Sequence, residues 1–347
     1  VLTAATVAAV FLAPPAVYRQ GGEADARAAL QSGLLTAAAA LVAVVGGLVA
    51  LAETRQSNAN THVRELYTHA VDQLGADDIT VRLGGIYALE RIAKDSPADQ
   101  RTVVEVVSAF VREKARPAAP AKDGISAADA GPARPNTDVQ AALTVLGRLP
   151  VRKGVHRADL TGADLSGAEL NRANLAEARL HRTNLNGAQL NELVLTGASL
   201  LGANLTGARL AGADLSGADL ADANLTGARL AGADLTGAVL VETNLTGARL
   251  DEARLRGAVL FDADLTRAVL SDADLTDATL SIANLTDAQL NSANLTRSTL
   301  DAAVLNGANL TDAQGLEPGK LDVATGNDRT RLPVECPWPA SWPPATT

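Results

Sequence analysis

The chain has 347 residues, a net charge of −9, and only two Trp, three Tyr and three Phe. That length accommodates several domains, but so few aromatics leave little material for a large aromatic-lined pocket. The single cysteine, Cys336, excludes an internal disulfide and fits a reducing compartment.

Val1–Ala13 is apolar and uncharged, and Pro14-Pro15 ends it. No basic segment precedes it, so it reads poorly as a signal-peptide core and better as a short membrane helix. The Val start would fit a GTG initiation codon. After a charged connection, Tyr18–Arg27, the run Ala28–Ala52 carries no charge and holds Leu34, Leu35, Leu41, Val42, Val44, Val45, Leu48, Val49 and Leu51. A run of that length spans a hydrocarbon core of about 30 Å. Residues 1–57 are therefore expected to form a membrane hairpin of two apolar helices. Charge on the two flanks nearly balances, so the positive-inside rule gives no orientation.

From Asn58 the pattern is that of amphipathic helices. Val63, Leu66, Tyr67, Ala70, Val71 and Leu74 recur at helical spacing, with Gly75 as the stop. A second helix is expected over Val81–Asp95 with Leu83, Ile86, Tyr87, Leu89 and Ile92 inward. A third is expected from Ser96-Pro97, read as N-cap and first helical residue, to about Ala115, burying Val103, Val106, Val107, Phe110 and Val111. Residues 58–115 form a helical module whose block Asp78–Ala93 looks like a HEAT-type unit, a kind that binds protein; a single compact helical spacer fits the pattern equally. Residues 116–136 are rich in Pro, Ala, Gly and charge and read as a flexible linker. Thr137–Gly147 resumes as a short helix, placed within 137–157 to cap the leucine-rich region beyond it.

From Leu160 to Leu310 a leucine stands at every fifth residue, 31 times without a miss. Two residues earlier the slot is Ala in 27 of 31 cases, the exceptions being Thr183, Leu193, Thr243 and Ser298. Such a period marks a repeat architecture. On an α-helix steps of five advance each Leu by about 140°, which wraps them round every side. On a straight strand an odd period flips successive leucines to opposite faces. All leucines point inward only if three residues run extended (Ala in, next out, Leu in) and the following two turn a corner. Asp or Asn precedes Leu in 12 of the 15 slots from Asp164 in steps of ten, against 3 of the 16 alternate slots. Alternate repeats thus see different surroundings, which implies an even number of faces, four being the smallest that encloses a core. Stacked residues are then twenty apart, and Asn184, Asn204, Asn224 and Asn244 are expected to ladder along the stack with Thr206, Thr226, Thr246 and Thr266 beside them. The Asn-Leu-Thr triplets match a glycosylation acceptor pattern and read as a by-product of the repeat. The solenoid is expected over 158–315, with its exposed ends needing caps. The tail 316–347 offers Leu316, Leu321, Leu332, Val334, Trp338 and Trp342 as the second cap.

The Ala-(Asp/Asn)-Leu-Xaa-Xaa run resembles the pentapeptide-repeat family, which implies an all-β right-handed quadrilateral β-helix. The apolar hairpin, Ala70–Gly75, Val81–Ala93 and Asp138–Arg148 extend the resemblance to membrane-anchored members of actinobacterial type. It implies an integral membrane protein with a small α-helical domain, a cytosolic solenoid and no assigned reaction.

Residue chemistry points the same way. There is no phosphate-binding GxxxxGK[ST] loop, no cofactor motif and no metal-ligand cluster; His62, His69, His156 and His181 read as exposed residues. Residues 158–312 carry 20 acids against 10 arginines and no lysine, which disfavours direct nucleic-acid binding. Paired acids such as Asp262 with Asp264, or Asp272 with Asp274, sit on a regular solvated wall where nothing desolvates them. Twenty-residue stacking places Val239 on Val259 and Val241 on Phe261, with Leu201 on the same face. These outward residues form an apolar patch, which reads equally as a partner site and as a stacked ladder that stabilises the sheet. It also stacks Arg209, Arg229 and Arg249, whose like charges need relief from Asp251 and Glu252 or from an anionic partner. The expected function is a non-catalytic, membrane-anchored scaffold for a protein partner, with no cofactor. The alternative is an acidic DNA mimic that binds a topoisomerase or another DNA-binding protein, as some relatives do.

Overall fold

The computed structural model describes residues 41–50, 63–116, 134–152, 155, 157–317 and 319–343. The expected first apolar helix, most of the run 28–52, most of the linker, His62 and His156 lie outside the described residues. The chain divides into two compact units, Val1–Leu66 and Tyr67–Thr347. Within the first unit residues 41–50 are helical, with Leu41, Val44 and Leu48 each about 60 % exposed. No helix among the described residues is long and apolar enough to cross a membrane.

The second unit begins with helical residues 67–74, ended at Gly75 as expected. Three helices follow: α1 (Ile79–Asp95), α2 (Gln100–Lys114) and α3 (Thr137–Arg148). Asp78 caps α1 by accepting from the Thr80 backbone N–H at 2.7 Å, a standard use of a short acidic side chain. Ser96-Pro97 does not open α2. Ser96 closes α1, its N–H donating to Ile92 O at 2.8 Å, and a further turn intervenes before Gln100. Helical spacing placed Tyr87 and Val106 inward; Tyr87 is 48 % exposed, Val106 only half-buried, and Val104 fills the core instead. A buried ion pair ties α1 to α3: Arg82 Nε lies 2.7 Å from Asp138 Oδ2, with the Asp138 side chain 2 % exposed. Arg82 Nη1 also donates to the carbonyls of Ala76 and Asp77, so the buried charge is well satisfied.

The leucine frame builds the solenoid. Parallel bridges join residues twenty apart, from Asp159↔Arg179 to Asn294↔Gln314, giving four walls per turn. The first wall carries 159, 179, 199 and onward; the second starts at 164, the third at 169 and the fourth at 174. Every leucine of the frame is buried, most of them fully. Thr183 and Thr243 occupy Ala slots without penalty, because their hydroxyls donate to Leu160 O and Leu220 O of the preceding turn at 2.9 and 2.8 Å.

Each corner is a β-turn from Leu to the next Ala, as in Ala228 N–H to Leu225 O at 2.9 Å. Its second residue has positive φ at every corner from 162 to 312, and 17 of these residues are not glycine. A turn with φ > 0 at that place favours Gly or Asn, so the repeat tolerates strain there that Thr/Ser-Gly dipeptides alone do not reveal. The Asp/Asn rhythm also has a local cause. The Oδ1 of Asn204, Asn224, Asp264 and Asn284 each accepts from the backbone N–H and the hydroxyl of the Thr two residues on. Of the expected Asn ladder, Asn204 Nδ2 bonds Asn184 Oδ1 at 3.0 Å, while corner capping recurs at all four named Asn. The rhythm therefore comes mainly from closing corners rather than from stacking.

Both ends are capped. In the interior, each wall residue donates its N–H to the preceding turn; the first turn has none. The helices supply the four acceptors: Ser108 Oγ for Asp159, Ala115 O for Asp164, Gln140 Oε1 for Glu169 and Gly147 O for Asn174. One acceptor per wall closes the sheet edges that invite association. The fit is close: a Cβ on Gly147 would lie 2.6 Å from Ala173 Cβ. At the far end the tail adds bridges at Thr325 and Arg331, buries Leu321, Ala324 and Trp342, and leaves Val334 fully exposed. Val334 is thus not part of the cap, and Leu316, Leu332 and Trp338 are only half-buried.

Candidate interaction surfaces

The frame fixes two inward residues in five, so function has only the wall residue and the two corner residues to vary. Stacking at a strand spacing of about 4.8 Å turns equal slots on successive turns into columns.

The first column runs down the edge between the first and second walls: Leu201, Ala221, Val241, Phe261. Leu201 and Phe261 are 38 and 39 % exposed, and Val241 is half-buried. On the adjoining first wall Val239 and Val259 are bridged and half-buried. The structure thus brings all five expected apolar residues together. It adds Ile282, one turn beyond Phe261 and one residue over, which is 46 % exposed. Ile282 has φ +65°; a β-branched residue there is a genuine outlier. Helical or strand periodicity gives no warning of it, and only the corner register exposes it. Asp222, Glu242 and Asp262 form the next column, so an acidic rim borders the apolar stripe.

The expected arginine column lies on the third wall, with Arg209, Arg229 and Arg249 bridged in sequence. Arg249 Nε lies 3.2 Å from Asp251 Oδ2. Among the described residues Arg209 and Arg229 have no such partner, and glycine and alanine line the corners beside them. Glu252 forms no ion pair with the column, so relief is confined to one end.

Elsewhere a minority of the acids are paired. Arg172 and Glu192 meet at 2.8 Å, Arg297 and Asp277 at 2.6 Å, each through two nitrogens and twenty residues apart. Arg254–Asp234 and Arg256–Asp277 add looser pairs. Hydrogen bonds from Arg297 first, then the charges of Arg297 and Arg256, hold the Asp277 carboxyl below its ordinary value. At Asp264 burial pushes the carboxyl up, but hydrogen bonds from Thr266 and Thr246 and the Arg267 charge outweigh it, and the net shift is down. Every carboxylate with a resolved shift moves down (Asp78, Asp159, Glu192, Asp214, Asp264, Asp277). None of these is poised as a general acid, which requires the opposite displacement. Among the described residues no group of His, Cys, Asp and Glu has the arrangement of a metal site.

Comparison with known proteins gives a consistent result. A family model described as pentapeptide repeats matches residues 156–191, 188–227, 218–257, 253–286 and 283–314. Among solved structures, the chain is 36 % identical to HetL, a pentapeptide repeat protein involved in heterocyst differentiation regulation in the cyanobacterium Nostoc sp. strain PCC 7120. That match covers 45 % of this chain and 77 % of HetL, with a TM-score of 0.30. A pentapeptide repeat protein of the Arabidopsis thaliana thylakoid lumen is 38 % identical over 31 % of this chain and 75 % of its own, TM-score 0.28. QnrB1, a plasmid-mediated fluoroquinolone resistance protein, is 14 % identical over 47 and 91 % respectively, TM-score 0.22. No curated protein matches the chain.

Proposed function

The chain is a pentapeptide-repeat protein, and on that premise we propose that it is a non-catalytic, membrane-tethered scaffold whose first-to-second-wall edge docks a protein partner. The observation that carries the reading is Ile282. Backbone strain and solvent exposure both disfavour a β-branched apolar side chain in that corner, yet it extends the stripe of Leu201, Val241 and Phe261. The stripe runs over three turns from Leu201 to Phe261, about 14 Å at strand spacing. Its acidic rim of Asp222, Glu242 and Asp262 favours a partner that offers an apolar ridge flanked by Lys or Arg.

The tether is residues 1–57, with the solenoid on the cytosolic side. Its support is the uncharged run 28–52, whose described part, 41–50, exposes Leu41, Val42, Val44, Val45, Leu48 and Val49. The acidic DNA mimic is the weaker reading, because arginines pair with Glu192, Asp234, Asp251 and Asp277 and break up the acidic surface.

Two measurements test the proposal. Photo-crosslinkers placed at Phe261 and at Arg229 on the opposite wall, in the full-length protein in membranes, should give a discrete adduct only from Phe261. The adduct should vanish in Ile282→Asp. Equal yields from both walls would refute the docking edge. Full-length protein should sediment with membranes and a 58–347 chain should not; co-sedimentation of both would refute the tether.

A further inference from the structure

A cleft of about 520 Å³ opens where α2 meets the first two turns of the solenoid, well away from the apolar stripe's central residues. One side is a single helix face: Arg101, Glu105, Ser108 and Arg112, spaced four, three and four residues apart. The other side is two stacked turns, Arg157 and Asp159 on the first and Glu177 and Arg179 on the second. Among the described lining residues four arginines and three carboxylates therefore face one another, a net charge of +1, on a chain whose total is −9.

The pairing inside the cleft is incomplete. Arg101 is held by Glu105 at 3.0 Å on its own helix. Arg112 donates to Asp159 O and lies 3.6 Å from Asp159 Oδ2, a contact that fastens the helix to the first turn. Arg157 Nε lies 3.5 Å from Glu177 Oε2, yet this buried N–H reaches no acceptor. Arg179 is exposed and, among the described residues, its guanidinium has no hydrogen bond and no ion pair. Arg179 thus keeps free donors at the cleft, and beside it Arg157 is held only by a loose contact to Glu177. A buried unsatisfied donor such as Arg157 Nε is uncommon and costly, and marks this corner as a place where the fold leaves a guanidinium incompletely paired.

We propose that this cleft binds a small phosphorylated ligand through Arg157 and Arg179, with Arg101 at its mouth. The donor type selects the class: the planar fork of arginine matches phosphate oxygens with two parallel bonds. The volume falls in the range of small-molecule sites. Among the described residues no aromatic side chain lines it and Val155 is the one aliphatic residue, a lining that favours a polar ligand over a stacked nucleobase. The ligand is compact and polar, with its phosphate as the anchoring group. Glu105 and Glu177 repel further negative charge, which favours a sugar- or polyol-type carrier over a polyanion of many charges.

The test uses the full-length protein titrated calorimetrically with inorganic phosphate and with glycerol 3-phosphate at low ionic strength. Saturable binding of one equivalent is expected for glycerol 3-phosphate. Arg179→Gln and Arg157→Gln should each weaken it about tenfold or more, the loss of one charge-assisted contact. Arg209→Gln, which removes an unpaired arginine from the third wall, should leave affinity unchanged. Absence of saturable binding to either probe, or equal weakening by Arg209→Gln, would overturn the proposal. Should Arg157→Gln lose its cooperative melting transition, Arg179→Gln decides alone, since that side chain is exposed and forms no hydrogen bond or ion pair among the described residues.

Discussion

Gly227 gives the cleanest measure of what the corners cost. It is the second corner residue at φ +63°, and a Cβ built on it meets nothing within 4 Å. Gly227→Ala therefore changes backbone preference without changing packing. An L-residue in the left-handed region costs about 1–2 kcal/mol, and the stiffer unfolded chain offsets about 0.4–1 kcal/mol of it. The expected net destabilisation is about 1 kcal/mol, a fall in Tm of about 2–4 °C for a unit of this size. Gly227→Val should be worse than Ala, because the β-branch crowds the same backbone. Thermal and urea unfolding followed by circular dichroism would read both. A Gly227→Ala protein as stable as wild type or more so would show that the corner does not enforce the left-handed conformation. So would a Val variant no worse than the Ala variant.

Three further changes probe other links. Asp138→Ala leaves the Arg82 charge buried and unpaired, so urea unfolding should show a loss of about 3–5 kcal/mol. Asp264→Asn should retain stability, because Asn already fills the equivalent acceptor slot at 204, 224, 244 and 284, whereas Asp264→Ala should lose about 1–3 kcal/mol. The Asp264 pKa is lower folded than unfolded, so its contribution is present above the ordinary value of about 3.8 and lost as pH falls through the depressed folded value. Asp264→Asn should accordingly flatten acid unfolding below about pH 3.8, which a pH series of melting curves would show. Trp342→Ala removes a side chain that is 6 % exposed and packs on Gly326. Hydrogen exchange should accelerate first at Leu305 and Leu310, whose N–H groups donate to the tail at Thr325 and Arg331; uniform acceleration along the solenoid would count against a terminal cap.

The solenoid was legible because its period admits few physical solutions. Leu160 to Leu310 cannot all point inward on a helix or a flat strand, and the ten-residue Asp/Asn rhythm required an even number of walls. The apolar stripe followed from counting by twenty. Less was visible where one residue serves two neighbours. Tyr87 has helical spacing like Ile86 and Leu89, but among the described residues no element covers that side of α1, and the side chain is 48 % exposed. The first-turn acceptors were hidden for the same reason: Ser108, Gln140, Ala115 and Gly147 carry no motif, and only their placement opposite four unpaired N–H groups gives them a role. The cleft combines residues 101–112 with 157–179 across segments that sequence patterns treat as unrelated. Arg157 and Arg179 look like ordinary surface charges until the helix is laid over them.

The corner residues separate what the repeat needs from what it carries. Glycine suits the left-handed position, and the chain uses it at Gly207, Gly227 and Gly247, yet 17 corners hold other residues. At two places the side chains partly compensate by pairing between turns, Arg172 with Glu192 and Arg297 with Asp277. These pairs are exposed, and exposed ion pairs contribute about 0–1 kcal/mol, less than two left-handed L-residues cost. Stability alone therefore does not select them. What they provide is charge on the third-to-fourth-wall and fourth-to-first-wall edges, away from the apolar stripe, which discourages lateral association of regular walls. Ile282 lacks even that compensation, since it pairs with nothing and offers an apolar surface to water. Replacing Arg172 and Glu192 together by Gly should leave the protein at least as stable while making it more prone to self-associate, measurable by melting and by light scattering. If the double replacement instead destabilised the fold, the corners would have to be read as structural, and the case for Ile282 as a binding residue would lose its footing.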